Sequence, residues 1–202
     1  SKIRDIPLIE IDDFPEHPFK VKLDEDMDQL VQSIKARGII TPVTLRPKED
    51  GRYEIVSGHR RKKACELAGF DTVKAEVREM TRDEAIILMV ESNLQRSVIL
   101  PSEKAFSYKM RLEAMKRQAG RPAQDNYSPL GNNSFGTKSS DEMAAEVGES
   151  KNTIFRYIRL TELIPELLDL VDEGRIAFRP AVELSYLQKE EQGALLEPCP
   201  GH

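Results

Sequence analysis

Between residues 24 and 37, Met27, Leu30, Val31 and Ile34 fall at the i, i+3, i+4, i+7 spacing of one helix face, with acids gathered at its start. Gly38 stands where the C-cap of that helix belongs. Residues 39–45 read as a strand, which Pro42 restricts to a sheet edge or a strand start. Asp50-Gly51 tips a turn over 48–52, so residues 53–56 are expected to pair back as a hairpin. The pattern is helical over 58–68, closed by Gly69, and returns to strand over 72–77. Thr81 and Glu84 form a capping box that opens a helix carrying the apolar run 85–90. Strands and helices interleave, which predicts a small α/β or α+β domain over residues 1–100.

Past Pro101 the strand signals stop. Residues 102–119 read as a basic helix, 120–139 as a Gly, Pro, Asn and Ser-rich flexible loop, and 139–192 as wholly helical. Ser139 to Glu142 offers a second capping box, with Met143, Ala144 and Val147 as a short apolar face. Gly148 then suits a tight turn, and Ser150 is the expected N-cap of a second helix. In that helix Ile154, Ile158 and Phe155 are expected to pack inward, leaving Lys151, Asn152, Thr153, Arg156 and Tyr157 outward. Near 140–160 this is the pattern of a helix-turn-helix. Its outer face has amide and hydroxyl groups for base edges and cations for guanine or phosphate. An ordinary helical hairpin with a solvated face is the plainer alternative, but the small-residue helix, the glycine turn and the polar amino-terminal half together favour DNA. Asn152, Thr153, Arg156 and Tyr157 are the expected base readers, with Ser150 at the cap and Lys151 and Arg159 toward phosphate.

Composition changes this picture little. The 202 residues are 39% hydrophobic and 32% charged, with no Trp, which suits two modest cores better than one large one. The net charge of −5 is opposite to the usual basic footprint of a nucleic-acid binder. Charge is patterned, however: residues 102–121 hold six basic side chains against two acidic ones. The longest apolar run is six residues, so no membrane-spanning helix is expected. No charged-then-apolar leader opens the chain, and Cys65 and Cys199 make neither a disulfide framework nor a metal cluster. The expectation is a reduced, soluble, cytoplasmic protein, with Cys65 a small core residue and His17 a turn residue beside Pro18.

Ser57-Gly58-His59-Arg60-Arg61-Lys62-Lys63 follows the strand at 53–56 and runs through a glycine into a helix. Free N–H groups at a helix start, flanked by cations, make an anion site; a basic, solvated helix start is the equal alternative. This motif, then Ser92-Asn93-Leu94-Gln95-Arg96, then the helix-turn-helix, resembles the ParB family of partition proteins, in matching order over residues 6–187. The segment Arg37-Gly38-Ile39-Ile40-Thr41-Pro42 is similar to the part of that family that lies against a nucleobase.

The resemblance implies an α+β, sulfiredoxin-like amino-terminal domain followed by an all-α helix-turn-helix domain over 101–192. It implies a homodimeric, CTP-dependent sliding clamp that binds a palindromic centromere-like site on double-stranded DNA, works with a ParA-type ATPase and is nucleoid-associated. CTP and Mg²⁺ are the implied cofactors. Gly38 and Pro42 match the cytidine side, where Thr41 also falls, Gly58, Arg60 and Arg61 the first phosphate motif, which includes His59, and Asn93, Gln95 and Arg96 the second; all are implied nucleotide-binding positions. Asn93 and Glu91 are the implied metal ligands. His59 and Ser92 replace two carboxylates usual in the family, Thr41 replaces a Gln, and His17-Pro18-Phe19-Lys20 only partly matches its Asn-Pro-aromatic-Gln segment. CTP binding with slow hydrolysis is therefore expected. Residues 193–202 read as a disordered tail without strand or heptad pattern, so the family's carboxy-terminal dimerisation domain is not expected within this chain. A ParB-like transcriptional regulator that does not slide shares every one of these features. An enzyme on the same fold, sulfiredoxin-like or a small-molecule kinase, fits less well, because Gly58 is followed by His59 rather than a thiol and the second domain is left unexplained.

Overall fold

A computed structural model describes residues 2–120 and 135–198. Cys199 and most of the loop expected over 120–139 lie outside these. Contacts divide the chain into two compact units, Ser1–Gln95 and Arg96–His202. Among the described residues no helix is long and apolar enough to cross a membrane.

The first unit is a five-stranded mixed sheet, order β1-β5-β3-β4-β2, with three helices. Its strands are β1 (Ile3–Pro7), β2 (Ile11–Asp12), β3 (Val43–Pro47), β4 (Tyr53–Ser57) and β5 (Thr72–Val77). Its helices are α1 (Glu25–Arg37), α2 (His59–Leu67) and α3 (Arg82–Leu94). The caps read from sequence are present. Asp24 accepts from the Met27 amide, Gly38 closes α1 at φ 71°, and Thr81 and Glu84 cap α3 reciprocally. β3 and β4 form the expected hairpin, Pro47 opposite Tyr53.

The strand expected at 39–45 is shifted. β3 starts only after Pro42, and Ile40 is 80% exposed. Nor is it an edge, since β5 and β4 flank it. Pro42, just ahead of the first strand residue, withholds no ladder donor and so is compatible with a central strand. Val43, Leu45, Ile55, Ala64, Cys65, Val73 and Ala75 form the core together with Met27, Val31 and Ile34 from α1. Cys65 is buried there, the small core residue expected of its helix, and burial pushes its thiol pKa up.

Every described element of the second unit is helical: α4 (Pro101–Ala119), α5 (Phe135–Val147), α6 (Lys151–Arg159), α7 (Pro165–Asp172), α8 (Phe178–Leu184) and α9 (Lys189–Ala194). Pro101 and Pro165 occupy first-turn positions, where a missing N–H costs nothing. α4 is the hub. It packs on α5, α6 and α7, and buries Ala105, Tyr108, Leu112 and Ala114. Its basic side chains are partly turned inward, because Arg111 is buried and pairs with Glu146, while Lys104 pairs with Glu149. Asp172, from α7, accepts from the Ser102 amide at 2.9 Å and from its hydroxyl, capping α4 from across the unit. Gln192 is fully buried and satisfied: Oε1 accepts from the Ile164 amide at 2.8 Å, and Nε2 donates to the carbonyls of Glu162 and Leu187.

The capping box expected at Ser139 is not a cap. α5 begins at Phe135, which places Ser139 and Ser140 inside the helix, where both are buried.

Candidate functional site

In the first unit, strand β4 delivers the chain to Gly58, which caps α2 in the left-handed region at φ 96°. A Cβ on that residue would lie 2.7 Å from Val43 Cγ1 and 3.1 Å from Arg61 Nη2, so glycine is required on both counts. The α2 ladder begins with the Lys62 amide donating to Gly58 O at 2.9 Å. The amides of His59, Arg60 and Arg61 are thus left outside that ladder at the positive end of the helix dipole, an arrangement suited to an anion.

The basic run 59–63 is mostly committed within the protein. Lys62 is buried between Asp13 and Glu66, at 3.1 and 2.7 Å, and Lys63 lies 3.4 Å from Glu66. Arg61 donates from Nη1 to the carbonyls of Thr41 and Pro42, at 2.6 and 2.7 Å. It therefore ties the phosphate-type turn to the segment at 38–42 on the base side of the expected site, and burial lowers its pKa. Among the described residues Arg60 has no ion-pair partner, so its guanidinium is open to a ligand.

His59 is the residue whose role the sequence conveyed least. Its ring stacks on His17, with centroids 3.7 Å apart and planes at 27°, and Phe19 lies 5.7 Å from His17. Burial, then the charges of His17 and Lys62, push the His59 pKa down to about 3. His17, which follows the turn at residues 15–16, therefore also packs on the ring at the head of the candidate turn. A signal existed, since positions 17 and 59 both depart from the family pattern, but nothing in the sequence placed them in contact.

The second expected phosphate motif closes α3. Asn93 Nδ2 donates to Met89 O at 2.8 Å, which leaves Oδ1 as a candidate oxygen for a hard cation. Glu91 is exposed one turn-half away, since two helical positions differ by about 200°, so the two do not share a face. No cluster of three metal-type side chains occurs among the described residues. Gln95 follows α3 as its cap, and Arg96 opens the second unit, where it lies 3.7 Å from Glu103. Asn93 Oδ1 would hold Mg²⁺ only together with ligands from beyond this segment, such as water.

In the second unit α5, a turn at Gly148 (φ 68°) and α6 make the helix-turn-helix. Ser150 caps α6, accepting from the Thr153 amide at 3.1 Å, and its hydroxyl meets Thr153 Oγ1 at 2.8 Å. Ile154 is buried as expected, whereas Phe155 is 43% exposed and does not pack inward. Tyr157 departs in the opposite sense. It packs edge-on against Tyr108, tilts against Phe178 and carries Lys104 Nζ over its ring at 4.6 Å. Burial and the Glu149 carboxylate push the Tyr108 pKa up.

Arg159 is engaged as well, donating to Ser185 Oγ and Ser185 O and lying 4.2 Å over Tyr186. Lys151 reaches Asp141 at 3.3 Å. Asn152 and Arg156 are exposed, and no hydrogen bond or ion pair among the described residues occupies their head groups. Arg156 lines an open cleft of about 350 Å³ with Phe178, Arg179, Val182 and Glu183. Arg179, which the sequence reading did not single out, thus places a second uncommitted guanidinium beside the outer edge of α6.

The ParB N-terminal domain family matches residues 1–94, and the ParB HTH domain family matches residues 133–199. The chromosome-partitioning protein Spo0J of Thermus thermophilus is 32% identical over 187 residues, 93% of this chain and 61% of that protein. The chromosome-partitioning protein ParB of Caulobacter vibrioides is 28% identical over 175 residues, 86% of this chain and 51% of that protein. The chain therefore spans about half to three-fifths of the length of these relatives. Among solved structures, C-terminally truncated ParB from Caulobacter crescentus complexed to the centromeric parS site has a TM-score of 0.54 at 24% identity, covering 95% of this chain and 97% of that one. This last likeness is one of fold.

Proposed function

We propose, from the premise that this chain belongs to the ParB family, that it is a partition protein which reads a centromere-like site in double-stranded DNA and binds CTP. The DNA reading is carried by one observation: Asn152 and Arg156 stand uncommitted on the outer edge of α6, next to Arg179. Two open guanidiniums beside an amide suit the guanine edges and phosphates of a major groove. Ser150 and Thr153 contribute hydroxyls at the start of α6, Lys151 contributes a cation toward phosphate, and Tyr157 and Arg159 hold α6 in place from behind.

The nucleotide reading is supported by the glycine cradle at Gly58, the amides that follow it, and Arg60. When bound, CTP would supply a triphosphate for the turn at Gly58 to hold. Arg60 would bind its charge, Arg61 orients the segment at Gly38, Thr41 and Pro42, and Asn93 would offer an oxygen to Mg²⁺, with Gln95 and Arg96 following it in the chain. With His59 and Ser92 in place of carboxylates, and Glu91 turned off the Asn93 face, little remains to position a water, so turnover is slow. Homodimerisation, a ParA-type partner ATPase and nucleoid association belong to the same proposal.

The experiment is a binding series with cognate and scrambled DNA and with CTP, ATP, GTP and UTP, each with phosphate release measured. A double Asn152→Ala, Arg156→Ala variant is expected to lose specific binding, at about 1–3 kcal/mol per base contact. Intact specific binding would show that α6 does not read DNA. Equal affinity for all four nucleotides would remove CTP from the proposal. A footprint that spreads from the site only with nucleotide would separate a sliding clamp from a static regulator.

A further inference from the structure

The loop between β2 and α1 is fixed at two points by Phe14 and Phe19, both buried. Between these anchors Glu16 holds a left-handed backbone at φ 57°, a conformation that costs a non-glycine residue about 1 kcal/mol or more. The product of that strained turn is the position of His17, stacked on His59 at the head of the phosphate-type turn. His59 Nε2 is shielded from solvent and has no hydrogen-bond partner among the described residues. A buried imidazole nitrogen left unpaired costs free energy that a ligand can return.

We propose that the His17–His59 stack is a proton-linked anchor for the terminal phosphate of a bound nucleoside triphosphate: as the anion arrives, His59 takes up a proton and donates from Nε2 to a phosphate oxygen. The proposal rests on the nucleotide-binding reading of this turn. Burial foremost, and then the charges of His17 and of Lys62, which is held by Asp13 and Glu66, disfavour a proton on His59 in the free protein. These are the charged groups found to act on the ring, and in the free protein burial and then these charges hold its pKa down. A phosphate reverses the sign of the local field and favours the imidazolium. His17 is a positioning residue. It holds the His59 ring by stacking and, through its own charge, sets how easily that ring protonates. Where a carboxylate would turn the terminal phosphate away unless a metal intervened, this pair would attract it, more strongly in acid.

The sign follows from linkage. A group that gains a proton on binding makes affinity rise as pH falls, by at most tenfold per pH unit for one proton. Protonation of the triphosphate itself works in the opposite direction, so the informative quantity is the difference between wild type and His59→Asn. Calorimetric titration with CTP and, separately, with inorganic tripolyphosphate, in buffers of differing ionisation enthalpy at pH 6, 7 and 8, reads both affinity and protons taken up.

The expected result is that wild type gains about five- to tenfold over His59→Asn between pH 8 and pH 6, with a matching proton uptake. His17→Asn is expected to move that gain to higher pH, whereas a merely structural role would lower affinity equally at every pH. Equal proton numbers in wild type and His59→Asn would overturn the inference and leave nucleotide binding standing. Proton uptake with tripolyphosphate but no binding of CTP would do the reverse. Failure of wild type to bind either anion would overturn both. Should His59→Asn not fold, imidazole NMR of the wild type decides the matter. His59 is expected to stay neutral down to pH 5 alone and to become protonated near neutrality with tripolyphosphate, and an unchanged titration would overturn the inference.

Discussion

Gly58 carries two constraints that no other residue type meets together, a φ of 96° and a Val43 methyl 2.7 Å from where a Cβ would stand. A side chain there strains the backbone and pushes into a fully buried valine of the central strand. Gly58→Ala is therefore expected to destabilise the first unit by about 2–4 kcal/mol, read as a loss of denaturant midpoint at constant slope. An unchanged midpoint would mean that the turn relaxes freely. Sequence alone made this glycine legible as the turn between a strand and a helix, because a strand, a glycine and a cationic helix start are local features. It gave no sign that Arg61 would be spent on the carbonyls of Thr41 and Pro42, or that His17 would meet His59, 42 positions away. Those contacts depend on tertiary approach, which residue spacing does not encode.

At the scale of elements, helices with strong end signals were legible to within a residue or two, as at Asp24, Gly38, Thr81 and Ser150. β1 and β2 went unseen, since five and two residues at the chain start give too little alternation to register. The misplaced start of α5 has another cause. A capping box is also a good helix-interior sequence when the helix begins earlier, and local pattern cannot tell the two apart. α6 shows how one short helix divides its labour. Its outer edge leaves Arg156 open, while its inner edge commits Arg159 to Ser185 and Tyr186. Arg156→Ala is expected to change stability by less than about 0.5 kcal/mol and to weaken DNA binding. Arg159→Ala is expected to cost about 1–3 kcal/mol of stability, with DNA binding reduced only as α6 loosens. Parallel thermal melts and DNA titrations check the pair; a reversed pattern would exchange the two roles.

At the scale of the molecule, the two cores share no residue. One is built on the sheet and α1, the other on α4, α7, α8 and the turns between them. Each holds enough buried aliphatic side chains to be cooperative alone. Separately produced 1–95 and 96–202 segments are expected each to unfold in a single cooperative transition, and a segment without one would show that its core is incomplete. The net charge of −5 also makes sense at this scale. On the proposed reading, attraction to DNA would rest on a few arginines against an acidic background, and binding would be confined to the face that carries Arg156 and Arg179.

The bond from Arg61 to the carbonyls of Thr41 and Pro42 has a consequence for how such a protein can diverge. Because the contacts are to main chain, the side chain at position 41 is left out of them, and Thr in place of Gln disturbs nothing that Arg61 holds. If this turn holds a nucleotide as proposed, substitutions at position 41 would change the surface offered to the base and leave the tie made by Arg61 intact.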